Sequence, residues 1–260
     1  MTDALLIDRR DGVCTLTINR PAVRNAVDEP TMIRIREAIE ASADDGTRVI
    51  VLTGAGGAFS SGADIKAALA AKATPDTAYR VLSEAYGPTL RAVRNSPWPV
   101  IAAVDGPAAG IGLDLALACD LRLASERAAF AELFIRVGLI PDGGGTYTLQ
   151  RLVGVGRAME MILTGETVDA ARAHAIGLVN RVFPTEGFAG AVHAFAAKLA
   201  RQSPHALRRA RQAVLAAQEG TFDEALAREA AHQRAIFESE DGFEGFRAFL
   251  EKRPPKWTGK

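Results

Sequence analysis

"WPVIAAVDGPAAGIGLDLALACD", Trp98 to Asp120, runs from an unbroken apolar stretch through a loop of small residues into an apolar helical pattern. "WPVIAAVDG" reads as a buried strand, since a strand covered on both faces shows no polar alternation. The loop "PAAGIG" then opens a helix over "LDLALACD". The same layout occurs once earlier. "RVIVLTG" is a short buried strand ending at Gly54, "GAGGAFSSGAD" is a glycine-rich loop, and "IKAALAAKA" is helical. Strands alternating with helices predict an α/β core.

Outward from there, Leu5 to Ile18 alternates around Asp11-Gly12 and reads as a β-hairpin. Asp28, Pro30 and the apolar set Met32, Ile35 and Ile39 mark a capped amphipathic helix. Residues 76–94 carry a helical pattern. After about Gly187 the periodicity is helical throughout, in "AVHAFAAKLARQ", "PHALRRARQAVLAAQ" and "DEALAREAAHQRAIF", so the last sixty to seventy residues form a helical module on an α/β body.

The totals narrow the partners. Lys and Arg number 31, and so do Asp and Glu, which gives no reason to expect nucleic acid or an anionic membrane. Cys14 and Cys119 are too few for a disulfide framework and suit a reducing cytoplasm. "MTDALLIDRRDG" lacks the layout of a signal peptide, and the most apolar region is interrupted by Asp105 and Asp114, so a soluble cytoplasmic protein is expected.

Neither glycine-rich loop is a dinucleotide fingerprint: Gly106, Gly110 and Gly112 have the wrong spacing, and Phe59 stands where the last glycine of the earlier loop would fall. A nicotinamide dehydrogenase is therefore disfavoured. Two such loops on one sheet can instead aim two main-chain N–H groups at one carbonyl oxygen, as an oxyanion hole requires.

Several stretches in order carry a family resemblance: "NRPAVRNAV", "VLTGAGGAFSSGADI", "WPVIAAVDGPAAGIGLDLALACDLRLAS", "VGLIPDGGGTYTLQRLVG", "AMEMILTGETVDAARAHAIGLVNRV" and "FLEKRPPKW". Over nearly its whole length the chain resembles the crotonase superfamily, the enoyl-CoA hydratase/isomerase family. That resemblance implies an α/β fold made as a spiral of ββα turns over residues 1–190, which binds acyl-CoA. It also implies a helical module for trimerisation over 191–260, assembling a homotrimer or a dimer of trimers. It implies a coenzyme A thioester as substrate, with no separate cofactor and no metal. The thioester oxygen would be held by the N–H groups of Ala63 and Ile111. Arg24 takes the place of a basic residue near the CoA phosphates, while Ala26, Ser61, Asp64, Ile65 and Gly110 line the rest of the ligand's path.

Hydratases of this family carry two glutamates that manage one water. At the first position this chain has Asp114, and at the second, twenty residues on, it has Phe134, so the two-glutamate site is not intact. Glu132 stands two residues from that gap and reads as a solvated or salt-bridged carboxylate. Asp142, in "LIPDGGGTYTLQRLVG", lies where isomerases and dehalogenases of the superfamily carry an acid. Taken alone, an aspartate before three glycines is most often a turn or N-cap residue. Within the resemblance it becomes the catalytic base, its carboxyl pKa raised by an apolar setting beside Phe134, with Asp114 as partner acid.

The reading expected is an enoyl-CoA isomerase. Alternatives are a hydratase using Asp114 with Glu132 or Asp142, or a non-catalytic member binding acyl-CoA or RNA; the balanced charge speaks against RNA. His174, His193, His205 and His232 form no metal pair and no triad. Phe222, Phe237, Phe243, Phe246 and Phe249 read as packing or interface residues.

Overall fold

The computed structural model describes residues 3–260. β1 (Leu5–Arg10) and β2 (Val13–Ile18) form the antiparallel hairpin, paired Arg10 to Val13 across the Asp11-Gly12 turn. α1 (Glu29–Ala41) follows, its Asp28 side chain accepting the Thr31 N–H at 3.0 Å, and leads to β3 (Val49–Gly54). α2 (Ile65–Ala70) and α3 (Pro75–Val81) come next. A single wide turn over Leu82–Tyr86, in which the Gly87 N–H donates to the Leu82 carbonyl, joins α3 to α4 (Gly87–Arg94).

β4 (Val100–Val104), β5 (Pro107–Ala109) and α5 (Ile111–Ala118) make one strand–strand–helix turn. β6 (Leu121–Ser125), β7 (Ala129–Ala131) and α6 (Gly145–Val153) make the next. Then come α7 (Val155–Thr164), β8 (Val168–Asp169), α8 (Ala170–Ala175) and β9 (Arg181–Phe183). The helical tail is α9 (Phe188–Ala200), α10 (Pro204–Ala217), α11 (Phe222–Phe237) and α12 (Glu244–Leu250).

Each turn sends its first strand to a large sheet, ordered β1-β2-β3-β4-β6-β9, and its second to a small one, ordered β5-β7-β8. From β2 to β9 the large sheet is parallel, and β5 and β7 are parallel in the small one. The segment after β3 joins this stack, with Ser60 bridging to Ala108. That repeat is the spiral which the resemblance implied. Period-2 geometry divides the strand residues between two cores. Ile50, Leu52, Ala102 and Val104 face α1, α4 and α5, while Val49, Val51, Ile101 and Ala103 face α9 through Phe188, Val192 and Ala196. Coverage on both faces explains the unbroken apolar runs of β3 and β4.

The 190/191 boundary falls within α9, which packs on the sheet; the helices that leave the sheet begin at Pro204. Among the described residues no helix is long and apolar enough to cross a membrane.

Candidate active site

The spiral's register puts its loops one above another. Ala109 pairs with Ala131 where β5 meets β7, and Gly110 donates its N–H to the Ala131 carbonyl at 3.0 Å. With Ser60 beside Ala108, the loop residues Gly62-Ala63 and Gly110-Ile111 occupy equivalent places in consecutive turns. Gly62 holds φ +104, and a β-carbon there would lie 3.0 Å from the Ala109 carbonyl and 4.0 Å from the Ile111 nitrogen. Only a glycine admits this conformation at this approach.

Ala63 lies between two main-chain bonds to one residue: Val27 donates to Gly62 O at 2.8 Å and Asp64 donates to Val27 O at 2.9 Å. The Ala63 N–H itself has no acceptor among the described residues, and neither does that of Ile111, the first residue of α5. Two unpaired donors on touching loops, one at a helix start, have the chemistry to take a developing negative oxygen.

Three carboxylates gather beside it. Asp114, on the first turn of α5, is 1% exposed, and its Oδ2 accepts the Gly143 N–H at 2.9 Å. It therefore serves the glycine run rather than its own helix. Glu132 is 0% exposed, has no ion pair, and neither of its oxygens has a hydrogen-bond partner among the described residues. This corrects the expectation of a solvated or salt-bridged Glu132. Its place explains why: Glu132 follows β7 as Gly110 follows β5, so the register of the spiral turns it inward. Burial, foremost, raises the pKa of both groups; the Asp142 charge raises both further and the Asp114 charge raises Glu132, while the Gly143 and Gly145 N–H groups oppose the rise at Asp114.

The glycine run fits these acids. A β-carbon at Gly143 would overlap Ile111 Cδ1 and come within 2.6 Å of Asp114 Oδ2; one at Gly145 would overlap Asp114 Oδ1 and lie 3.0 Å from Glu132 Oε1.

Asp142 precedes this run. It does not cap α6, whose N-cap is Gly144 without a side-chain bond. Its side chain is exposed, against the expectation of a buried one, because the cleft wall leaves it open while the next peptide packs on Ile111 and Asp114. Desolvation by the surrounding wall still pushes its pKa up to about 6. Across the cleft, Tyr86 donates its hydroxyl to Val27 O at 2.9 Å, and its phenol is shifted up by burial and then by Asp28, Asp142 and Asp64. Phe134 is 8% exposed, its ring 3.7 Å from the place of a β-carbon on Gly110, and so forms the apolar floor.

Arg24 lies exposed at φ +51 and makes no ion pair among the described residues, while its carbonyl accepts the Ser61 N–H at 3.0 Å. Ser61 is half-buried, its hydroxyl donating to Val23 O; Ala26 is buried and Ile65 is 53% exposed. Asp64 is engaged elsewhere: Oδ1 accepts the Ala67 N–H, and Oδ2 meets Arg20 at 2.8 Å. Arg20 also pairs with Asp28 at 3.0 Å, so it fixes the donor loop to α1. Neither Arg20 nor Tyr86 is distinguishable from the residue pattern alone. An apolar cavity of about 770 Å³ lies apart from the acids, lined by Leu117, Tyr147, Leu207, Val214 and Trp257, so chemistry rather than size locates the site.

The chain is similar to known proteins along its length. The family model described as enoyl-CoA hydratase/isomerase matches residues 8–260. A Rhodobacter capsulatus protein named "Probable enoyl-CoA hydratase" is 41% identical over 250 residues, covering 96% of each chain. A 1,2-epoxyphenylacetyl-CoA isomerase of Escherichia coli strain K12 is 37% identical over 263 residues and the full length of both. The crystal structure of an enoyl-CoA hydratase from Bacillus anthracis superposes with a TM-score of 0.95 at 32% identity, covering 99% of this chain and 100% of that one.

Proposed function

The chain belongs to the enoyl-CoA hydratase/isomerase family, and from that premise we propose that it is an enoyl-CoA isomerase with Asp142 as its base. The observation that carries this reading is the contrast among the three acids: Asp142 alone is open to the cleft, while Asp114 and Glu132 are 1% and 0% exposed. The thioester oxygen lies between the Ala63 and Ile111 N–H groups. This polarises the carbonyl, and Asp142 removes a proton from the adjacent carbon of a 3-enoyl thioester. Negative charge collects on the oxygen, and the protonated carboxyl returns the proton to the far carbon, giving the 2-enoyl thioester with no net gain or loss of atoms. Coenzyme A enters as part of the substrate, its phosphates near Arg24, and no separate cofactor is required.

Hydration is the second reading. The name of the Rhodobacter relative favours it, as does the presence of two carboxylates, Asp114 and Glu132, beside the oxyanion donors. Their closure from solvent weighs against it, because a water they direct must first reach them. The two readings separate in heavy water, with 3-enoyl-CoA and 2-enoyl-CoA supplied in turn. Isomerisation predicts the 2-enoyl thioester from the 3-enoyl substrate, with deuterium in it only as far as the Asp142 carboxyl exchanges with solvent before it returns the proton. A 3-hydroxyacyl product with no shift would replace it by hydration. The proposal extends to self-association, as a trimer or paired trimers, on the support of the apolar tail residues Phe222, Phe246 and Phe249, which are 77%, 58% and 82% exposed.

A further inference from the structure

Asp114 and Glu132 leave three buried oxygens unpaired: Asp114 Oδ1 and both oxygens of Glu132. Two of these face one spot, because a β-carbon at Gly145 would meet both Asp114 Oδ1 and Glu132 Oε1. Among the described residues the charged groups that bear on the pair are Asp114 itself, acting on Glu132, and Asp142, acting on both, and none of them is a cation. Two ionised carboxylates cannot share a dry site without a counter-ion, and such a group neutralises instead. One proton supplies what the geometry lacks, since a neutral carboxyl is a donor and Asp114 Oδ1 is an acceptor without one. The proton belongs on Glu132. Asp114 accepts the Gly143 N–H and the Gly145 N–H also bears on it, both favouring its charged form, whereas Glu132 accepts nothing among the described residues.

We propose that Glu132 is a positioning residue, held as the neutral acid and donating to Asp114 Oδ1, so that Asp114 keeps hold of the Gly143 N–H and fixes the turn that carries Asp142. The inference rests on Asp142 being the base, and it gives Glu132 a part in neither proton removal nor proton return. It also accounts for the glycines at 143 and 145, which let the peptide lie directly on the pair.

Infrared spectra of the full chain with glutamate carboxyls labelled in carbon-13 test the protonation directly. The expected result is an isotope-shifted band of a neutral carboxylic acid at neutral pH that is absent in Glu132→Gln and retained in Asp142→Asn. No neutral glutamate band in the wild type would overturn the proposal. This readout needs no turnover, so a failure of the isomerase reading stays distinct from a failure here. Kinetics test the role. Glu132→Gln, which keeps a neutral donor, should retain turnover and the acid limb of the pH–rate profile. Glu132→Ala should lose about tenfold to a hundredfold in kcat, as expected of a displaced base. Loss of turnover in Glu132→Gln as deep as in Asp142→Asn would make Glu132 catalytic and contradict the proposal.

Discussion

Asp142 differs from the other two acids by one geometric fact: the main chain after it is anchored, while its carboxyl is left in the cleft. Asp142→Asn should therefore lower turnover by about 10² to 10⁴ while leaving thioester binding nearly intact, which steady-state kinetics and a binding titration measure together. Because desolvation raises this carboxyl to about 6 and the base acts ionised, kcat/KM should fall as pH drops through that value and level off above it. An acid limb at the ordinary carboxylate value near 4 would argue for a different base. Position within the family pattern singled out Asp142, Asp114 and Phe134 in the sequence. Glu132 was not, because its environment depends on where β7 ends. A charged residue two places from a vacancy reads as solvated until the strand register places it one step past Ala131 and therefore inside.

At the scale of elements, the decisive unit is the glycine run between Asp142 and α6. Gly145→Ala should destabilise the protein by about 1–3 kcal/mol, as overpacking does, and lower turnover as well, since the added methyl would press on both Asp114 and Glu132. Thermal melting and kinetics of one variant check both effects, and an unperturbed variant would show that the run is not seated on the acids. Gly62→Ala tests the other loop. Its φ of +104 and the 3.0 Å approach to the Ala109 carbonyl predict a loss in kcat that exceeds any loss in CoA affinity, because the methyl displaces the Ala63 donor and not the CoA path. The hairpin, the α1 cap, the apolar strands β3 and β4 and the tail helices were all readable from periodicity and turn residues. The second strands of the spiral were not. β5 and β7 have three residues each, too short for any period to show, yet they set the stack that aligns Ala63, Ile111 and Glu132.

For the whole molecule, the buried acids oppose stability at high pH. The carboxyl of Glu132 is raised above its unfolded value, so its contribution is fully present below about pH 4 and is lost as pH rises through the folded value. Glu132→Gln removes that loss, and its melting temperature relative to wild type should climb as pH rises from mildly acidic to alkaline; a constant difference would show that Glu132 does not titrate in the fold. The exposed phenylalanines of the tail predict a particle several chains in mass by light scattering, and a smaller one for Phe249→Asp. The sequence announced the tail's helices through their caps and period, but the choice between covering the sheet and leaving it lies in which residues meet β2 and β3, as Phe188, Val192 and Ala196 of α9 do. The central claim, an oxygen held by two loops with one open acid beside it, is tested most directly by a crystal structure with an unreactive enoyl-CoA analogue bound. The account predicts the thioester oxygen about 3 Å from both the Ala63 and Ile111 nitrogens, with the Asp142 carboxyl over the α and γ carbons and Glu132 still enclosed. A thioester bound away from those two donors, or Glu132 rather than Asp142 against the acyl chain, would contradict it.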